Sequence, residues 1–181
     1  MSSAAPTIAP TAVFWTERRR RLYRAFAASA ALFGAWWSLA DWRDHHAFLV
    51  NATQSLPNWA FLIDRGVTPK RGDYVFFDPP HDPLILRHFG ERPAMFGKIA
   101  YGIGGDVVTR IGRTFFVNGR QVAIAKTISH MGEPLALGPV GIIPRGCYFV
   151  GTPHKDGLDS RYAAVGWPCD NRIIGVGEPV L

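Results

Sequence analysis

Residues 114–124 read TFFVNGRQVAI, two short apolar runs joined by Asn118 and Gly119. Asn-Gly is the dipeptide that best tolerates the positive φ angles of a type I′ turn, which joins two antiparallel strands tightly. This stretch therefore predicts a β-hairpin. Further short strands, each bounded by Gly, Pro or Asp, are predicted at residues 74–77, 98–103, 107–111, 148–150 and 172–176.

The composition also favours a mostly β protein. The 181 residues include 19 Gly and 14 Pro, which interrupt helices, so a helix bundle or a coiled coil is disfavoured. The length suits one compact domain with an appendage. Residues 79–93 and 131–144, which contain several Pro, are predicted as loops or irregular insertions.

The net charge of +6 is concentrated at the N-terminus. Residues 1–24 hold five Arg and one Glu and contribute +4, so the rest of the chain contributes only +2. A nearly neutral folded part argues against nucleic-acid binding. Residues 1–21 are interpreted as a disordered basic tail on the cytoplasmic side.

An uncharged stretch of sixteen residues, AFAASAALFGAWWSLA at residues 25–40, follows the arginines. As a helix it would span about 24 Å at ~1.5 Å per residue, and flanking residues would lengthen it toward the ~30 Å hydrocarbon core. Residues 22–40 are therefore predicted to form a single transmembrane anchor. The arginines keep the preceding tail in the cytoplasm, so residues 41–181 are expected in the periplasm, outside the bacterial inner membrane.

Two alternatives for the same stretch stay open. Ser38-Leu39-Ala40 offers the small residues of a signal-peptide cleavage site, although Trp36 and Trp37 are bulky for that position. A buried helix of a soluble protein is the other alternative, but a helix that is apolar on every face needs a large host domain.

No metal or cofactor site is predicted. The six His residues are scattered, without the spacing of metal ligands. Cys147 and Cys169 would both lie in an oxidising periplasm, where they form a disulfide or remain as two buried thiols.

One serine and one lysine are candidates for a nucleophile and the base that activates it. A serine hydroxyl is a weak nucleophile until a nearby base takes its proton, and Ser55 lies in NATQSLP at residues 51–57. Lysine serves as that base only when desolvation lowers its pKa from ~10.4. Lys98 is the only charged residue between Ala94 and Gly105 and has apolar neighbours. Taken alone, Ser55 would more often start a turn, and Lys98 would more often lie at the surface.

Four motifs carry a resemblance to a known family: Ser55-Leu56-Pro57, Arg71-Gly72-Asp73-Tyr74-Val75, Lys98-Ile99 with Gly104-Gly105-Asp106, and Asp159-Ser160-Arg161-Tyr162. In order and spacing they resemble the boxes of type I signal peptidases, serine peptidases of family S26, from about residue 51 to the C-terminus. The short chain, the core at residues 53–57 and the ending at residues 173–175 look most like TraF-type conjugative transfer peptidases, which mature pilin precursors.

The resemblance implies a role for each matching residue. Ser55 would be the nucleophile, and Lys98 the general base and then the general acid toward the leaving amine. The Ser55 N–H and the Thr53 hydroxyl would form the oxyanion hole. Asp159 and Arg161 would form an ion pair that supports the site.

The chain departs from the family pattern at one position. The hydroxyl that orients the lysine in the family stands two residues before the aspartate of the last motif, and here that residue is Gly157. Another group, or a water, must then position Lys98. Asp73 lies in a turn motif and is interpreted as structural.

The expected protein is thus a mostly β, signal-peptidase-like catalytic domain with one N-terminal transmembrane helix. Its expected function is cleavage by a Ser/Lys dyad of a pilin precursor or another membrane-inserted preprotein, for a conjugative type IV secretion system. It would need inner-membrane lipid as its surroundings, and neither a cofactor nor nucleic acid. The alternatives are a general signal peptidase and a catalytically inactive assembly factor of the secretion complex. Whether water or the substrate's own amino terminus resolves the acyl-enzyme is left open.

Overall fold

The computed structural model describes residues 16–50 and 56–180. Its helices and strands are, in chain order, α1 Glu17–His45, β1 His46–Val50, β2 Ala60–Arg65, β3 Tyr74–Phe77, α2 Pro83–Phe89, β4 Phe96–Gly102, β5 Val107–Ile111, β6 Thr114–Val117, β7 Arg120–Ile124, β8 Gly141–Ile142, β9 Phe149–Gly151 and β10 Ile173–Pro179. A 3₁₀ turn, Asp170–Arg172, precedes β10. The described part is mostly β, as the sequence predicts.

The chain divides between Arg43 and Asp44 into two units. The first consists, in its described part, of most of α1, which begins five residues before the predicted anchor and runs five residues beyond it. None of the α1 side chains is buried. Within residues 16–50 and 56–180, neither helix combines the length with the apolar character that a membrane crossing requires.

The second unit contains two antiparallel sheets. Six strands form one sheet in the order β1-β2-β10-β3-β4-β9, and four form the other in the order β7-β6-β5-β8. In the six-stranded sheet, Phe76 packs on one face with Phe61, while Val75 and Phe77 pack on the other. Both faces of β3 are therefore covered by apolar side chains, which fixes the register of the strands beside it.

The predicted hairpin is confirmed. β6 pairs with β7, and the turn residues Asn118 and Gly119 have φ angles of 48° and 78°. An asparagine tolerates this left-handed backbone better than most residues, so the dipeptide satisfies the turn at both positions.

The predicted strand positions are confirmed with small changes in their limits, but the loop predicted over residues 79–93 is wrong in part. Residues Pro83–Phe89 form α2. The Asp82 side chain accepts a hydrogen bond from the Leu84 N–H at 2.8 Å, and Pro83 occupies the first turn. These are ordinary helix-start signals, and they prevail over the surrounding prolines.

Cys147 and Cys169 form a disulfide across 22 residues of sequence. Cys147 is buried, and the two residues also form an isolated antiparallel bridge. The disulfide thus ties the start of β9 to the segment that leads into β10. The choice that the sequence left open is resolved in favour of pairing.

Candidate active site

Lys98 occupies a core position on strand β4. Burial alternates along this strand, and Phe96, Lys98, Ala100 and Gly102 are its buried residues. Lys98 is only 6% exposed. The pleat that turns Phe96 and Ala100 into the apolar core therefore takes the lysine side chain to the same face.

Burial lowers the pKa of the Lys98 amine. Desolvation is the largest cause, the nearby Asp159 carboxylate opposes it, and the nearby Arg161 guanidinium adds to it. The Nζ atom lies 5.5 Å from the centroid of the Phe96 ring. Among the described residues, it has no hydrogen-bond or ion-pair partner. Such surroundings favour the neutral amine, which is the form that acts as a base.

Asp159 and Arg161 form a buried ion pair beside this amine. The Arg161 Nε and Nη2 atoms each donate to one carboxylate oxygen of Asp159, both at 2.8 Å. The guanidinium also donates to backbone carbonyl oxygens, through Nη1 to Ile124 and through Nη2 to His154 and Gly157, at 3.0 to 3.2 Å. A carboxylate held by two parallel donors is strongly committed to that partner.

The predicted residues Thr53 and Ser55 lie outside the described residues. Leu56 is the first described residue after them, and it is buried with Phe61, Ile63 and Phe76. Its Cδ1 atom lies 3.2 Å from where a Cβ on Gly97 would be. The chain directly after Ser55 thus packs against the residue that precedes Lys98.

Position 157 has no room for a side chain in the present arrangement. A Cβ added to Gly157 would lie 2.0 Å from the Cγ2 atom of Thr152 and 3.0 Å from Arg161 Nη2. Thr152 is itself buried, at 2% exposure. The methyl group of Thr152 therefore occupies the space that a side chain at position 157 would need.

Two of the sequence motifs meet in a polar network away from Lys98. Arg71 donates to Asp106, which also accepts from the Asn118 side chain and from the Ile103 N–H, each at 2.8 Å. Burial by itself would raise the pKa of Asp106, but these hydrogen bonds hold it below its usual range. The network joins the segment before β3 to the hairpin turn of the other sheet, so its role is structural.

Asp73, from the first of these motifs, is also a turn residue. Its carboxylate accepts a hydrogen bond from the Lys70 N–H at 2.8 Å, which closes the turn that leads into β3. Among the described residues, no group of three or more His, Cys, Asp or Glu side chains is arranged to hold a metal ion.

The comparison with protein families decides the family membership. The family model described as signal peptidase, peptidase S26, matches residues 19–181. The chain belongs to the signal peptidase family S26. The match extends over nearly the whole sequence and includes all four motifs. A search of the curated proteins finds no match.

Membership of S26 indicates serine peptidase activity in general. Within this S26 chain, the described residues include a desolvated lysine, Lys98, and beside it the buried ion pair between Asp159 and Arg161. The sequence predicts both of these features, but it does not predict that the buried Thr152 packs against Gly157. The position of Thr152 is set by a pairing of distant strands, which left no local signal in the sequence.

Proposed function

We propose that this chain is a serine endopeptidase in which Ser55 is the nucleophile and Lys98 the general base, and that it processes a pilin precursor. The observation that carries the proposal is the state of Lys98. Its amine is almost fully buried, has a lowered pKa, and among the described residues has no ion-pair partner. A buried lysine without a counter-ion is rare unless its neutral form has a use.

The packing of Leu56 supports the choice of Ser55. Leu56 contacts the position of Gly97, one residue from Lys98, and its burial holds that end of the segment in the core. A nucleophile must lie within hydrogen-bond reach of its base. The sequence neighbour of Leu56 is therefore the serine best suited to pair with Lys98.

The proposed reaction balances within these groups. The Ser55 hydroxyl oxygen attacks the scissile carbonyl carbon while its proton passes to the neutral Lys98 amine. The oxyanion would be stabilised by the Ser55 N–H and the Thr53 hydroxyl. Lys98 then gives its proton to the leaving nitrogen as the C–N bond breaks. An acyl-enzyme remains, which water hydrolyses or a substrate amine captures.

Removal of either dyad member is expected to abolish processing. Ser55→Ala and Lys98→Ala should each lower kcat/KM on the order of 10⁴-fold or more, and the double variant should be no worse than either single variant. Lys98→Arg should be equally inactive, because a guanidinium stays charged. The measurement is cleavage of purified precursor, followed on gels and by mass spectrometry.

Lys70→Ala is the matched control, since Lys70 is exposed and should keep full activity. In the wild type, the rate should rise with pH as the Lys98 ammonium loses its proton. Because burial lowers this pKa, the midpoint of the rise should lie at a lower pH than the pKa of a free lysine side chain. Cleavage that persists in Lys98→Ala would eliminate the dyad.

We propose further that residues 22–40 anchor the catalytic domain in the bacterial inner membrane, with the domain in the periplasm, although α1 is less apolar than a typical membrane-spanning helix. The sixteen uncharged residues lie within α1, whose large apolar side chains are exposed, among them Phe26, Phe33 and Trp36. Aromatic residues near one end of such a segment favour the lipid interface, and the arginines before it favour the cytoplasmic side. The disulfide agrees with an oxidising compartment.

The anchor predicts that the full chain stays in the membrane fraction after a carbonate wash. A reporter that is active only in the periplasm, fused after the last residue, should be active. A soluble product whose new N-terminus is Asp41 would instead identify a cleaved signal peptide. An intact chain in the wash supernatant would contradict both.

A pilin precursor is the proposed substrate, because the chain resembles the short conjugative peptidases and its catalytic domain carries little beyond the two sheets. Substrate and enzyme confined to one membrane meet at high effective concentration, so a few pocket residues suffice for specificity. Deletion of the gene should block pilus formation and conjugation, while growth and bulk secretion continue.

Rescue of a strain depleted of its housekeeping signal peptidase would instead identify a general signal peptidase. An undiminished pilus in the presence of Ser55→Ala would identify an inactive assembly factor. Mass spectrometry of the mature pilin separates the two fates of the acyl-enzyme, because a cyclic product is one water lighter than the linear one.

A further inference from the structure

The amine of Lys98 needs a group that directs it toward the nucleophile. Its side chain is a flexible four-carbon chain. A general base is effective only when it is held within hydrogen-bond reach of the proton it takes. The Asp159 carboxylate is already committed to Arg161. At position 157, where the family resemblance implies a hydroxyl, this chain has glycine.

The pairing of β4 with β9 puts a different hydroxyl opposite Lys98. Ile99 pairs with Gly151 and Ala100 pairs with Val150 in an antiparallel register. Continued by one residue, the same register sets Thr152 directly across from Lys98. Residues directly opposite in such a pair have Cβ atoms about 4.5–5.5 Å apart and point to the same face.

Burial agrees with this register. Lys98 and Ala100 are buried on β4. Val150 on the neighbouring strand β9, and Thr152 directly after that strand, are buried as well. Ser160 is a second buried aliphatic hydroxyl near the site, but it donates to the Gly166 carbonyl and accepts from the Val150 N–H. Among the described residues, Thr152 is thus the buried hydroxyl that the strand pairing aligns with Lys98.

The contact between Thr152 and Gly157 indicates that only one of these two positions can carry a side chain at this place in the site. The Thr152 methyl group occupies the volume that a Cβ at position 157 would need, with a separation of only 2.0 Å. The two positions therefore cannot both carry a side chain in this arrangement. A side chain at position 157 would lie beside Arg161 and Asp159, whose Nη2 and Oδ2 atoms are 3.0 and 3.3 Å from its Cβ.

We propose that the hydroxyl of Thr152 is the group that positions the Lys98 amine, a role that rests on the proposed function of Lys98 as general base. Thr152 Oγ1 accepts a hydrogen bond from the His154 N–H at 3.2 Å, which fixes its side chain. A threonine hydroxyl can accept two hydrogen bonds and donate one, so this bond is compatible with a contact to Nζ. Thr152 is a positioning residue and does not touch the substrate.

The direction of the effect on Lys98 follows from the hydrogen bond that we propose, which is not among those that the described residues form. An oxygen that accepts from Nζ stabilises the ammonium more than the neutral amine. Its removal should therefore lower the pKa of Lys98 further, because the charged groups that face the amine, Asp159 and Arg161, remain paired with each other. The rise of kcat with pH should move to lower pH, while the maximal rate falls.

The first test compares Thr152→Val with Thr152→Ser in the full chain, assayed on the precursor. Valine keeps the shape and removes the hydroxyl, so kcat should fall on the order of 10- to 100-fold with little change in KM. Serine keeps the hydroxyl and should retain a rate within about 3-fold of wild type, since only a methyl group is lost. Ser160→Ala is the matched control, because it loses a buried hydroxyl but should leave the pH of the rise unchanged.

The second test moves the hydroxyl to position 157. Gly157→Ser alone should disturb the site, since its Cβ would collide with the Thr152 methyl group. When Gly157→Ser is combined with Thr152→Ala, the methyl group is gone and the collision is relieved. Arg161 then need shift only slightly. The double variant should then recover at least about 10-fold in kcat over Thr152→Ala alone, because the serine returns a hydroxyl to the site.

The outcomes separate the two proposals. Cleavage that survives Lys98→Ala would overturn the proposed dyad and with it the role of Thr152. Normal dependence on Lys98, together with a folded Thr152→Val of wild-type rate and pH profile, would overturn the role of Thr152 alone. A Thr152→Ser variant no better than Thr152→Val would likewise assign the residue to packing.

Discussion

The site depends on the closed ion pair between Asp159 and Arg161. Each oxygen of the buried carboxylate accepts from the same guanidinium, which also donates to three backbone carbonyls. Asp159 is near enough to raise the pKa of Lys98, yet burial prevails and that pKa is lowered. If Arg161 did not hold the carboxylate, Asp159 would serve as a counter-ion and keep the lysine charged. In the proposed mechanism, the ion pair thus permits the buried Lys98 to act as a base.

The sheet architecture places this chemistry. Strand β4 lies between β3 and β9, so its side chains meet residues from two distant parts of the chain. The pleat turns Lys98 inward beside Phe96 and Ala100, and the small Gly97 lets Leu56 pack closely on the neighbouring position. A strand is well suited to this task because its alternation fixes the direction of a side chain as firmly as it fixes the core.

Local signals predicted much of this fold, and pairing between distant strands determined the rest. The hairpin was predictable because Asn118-Gly119 carries its own backbone preference, and Lys98 was identified by the motif around it. The two-residue strand β8 has no signal of its own and exists because it pairs with β5. The position of Thr152 opposite Lys98 could not be predicted for the same reason, since it follows from the pairing of β4 with β9.

The central claim of the proposed mechanism is that burial beside a closed ion pair lowers the pKa of Lys98 and so allows its amine to act as a base. It is tested most directly by NMR titration of the lysine side chains, with ¹³C at Cε, in the Ser55→Ala variant of the full chain. Comparison with Ser55→Ala/Lys98→Ala assigns the signal. The account predicts that the pKa of Lys98 lies below that of a free lysine side chain. A Lys98 signal that titrates like a free lysine side chain would contradict it.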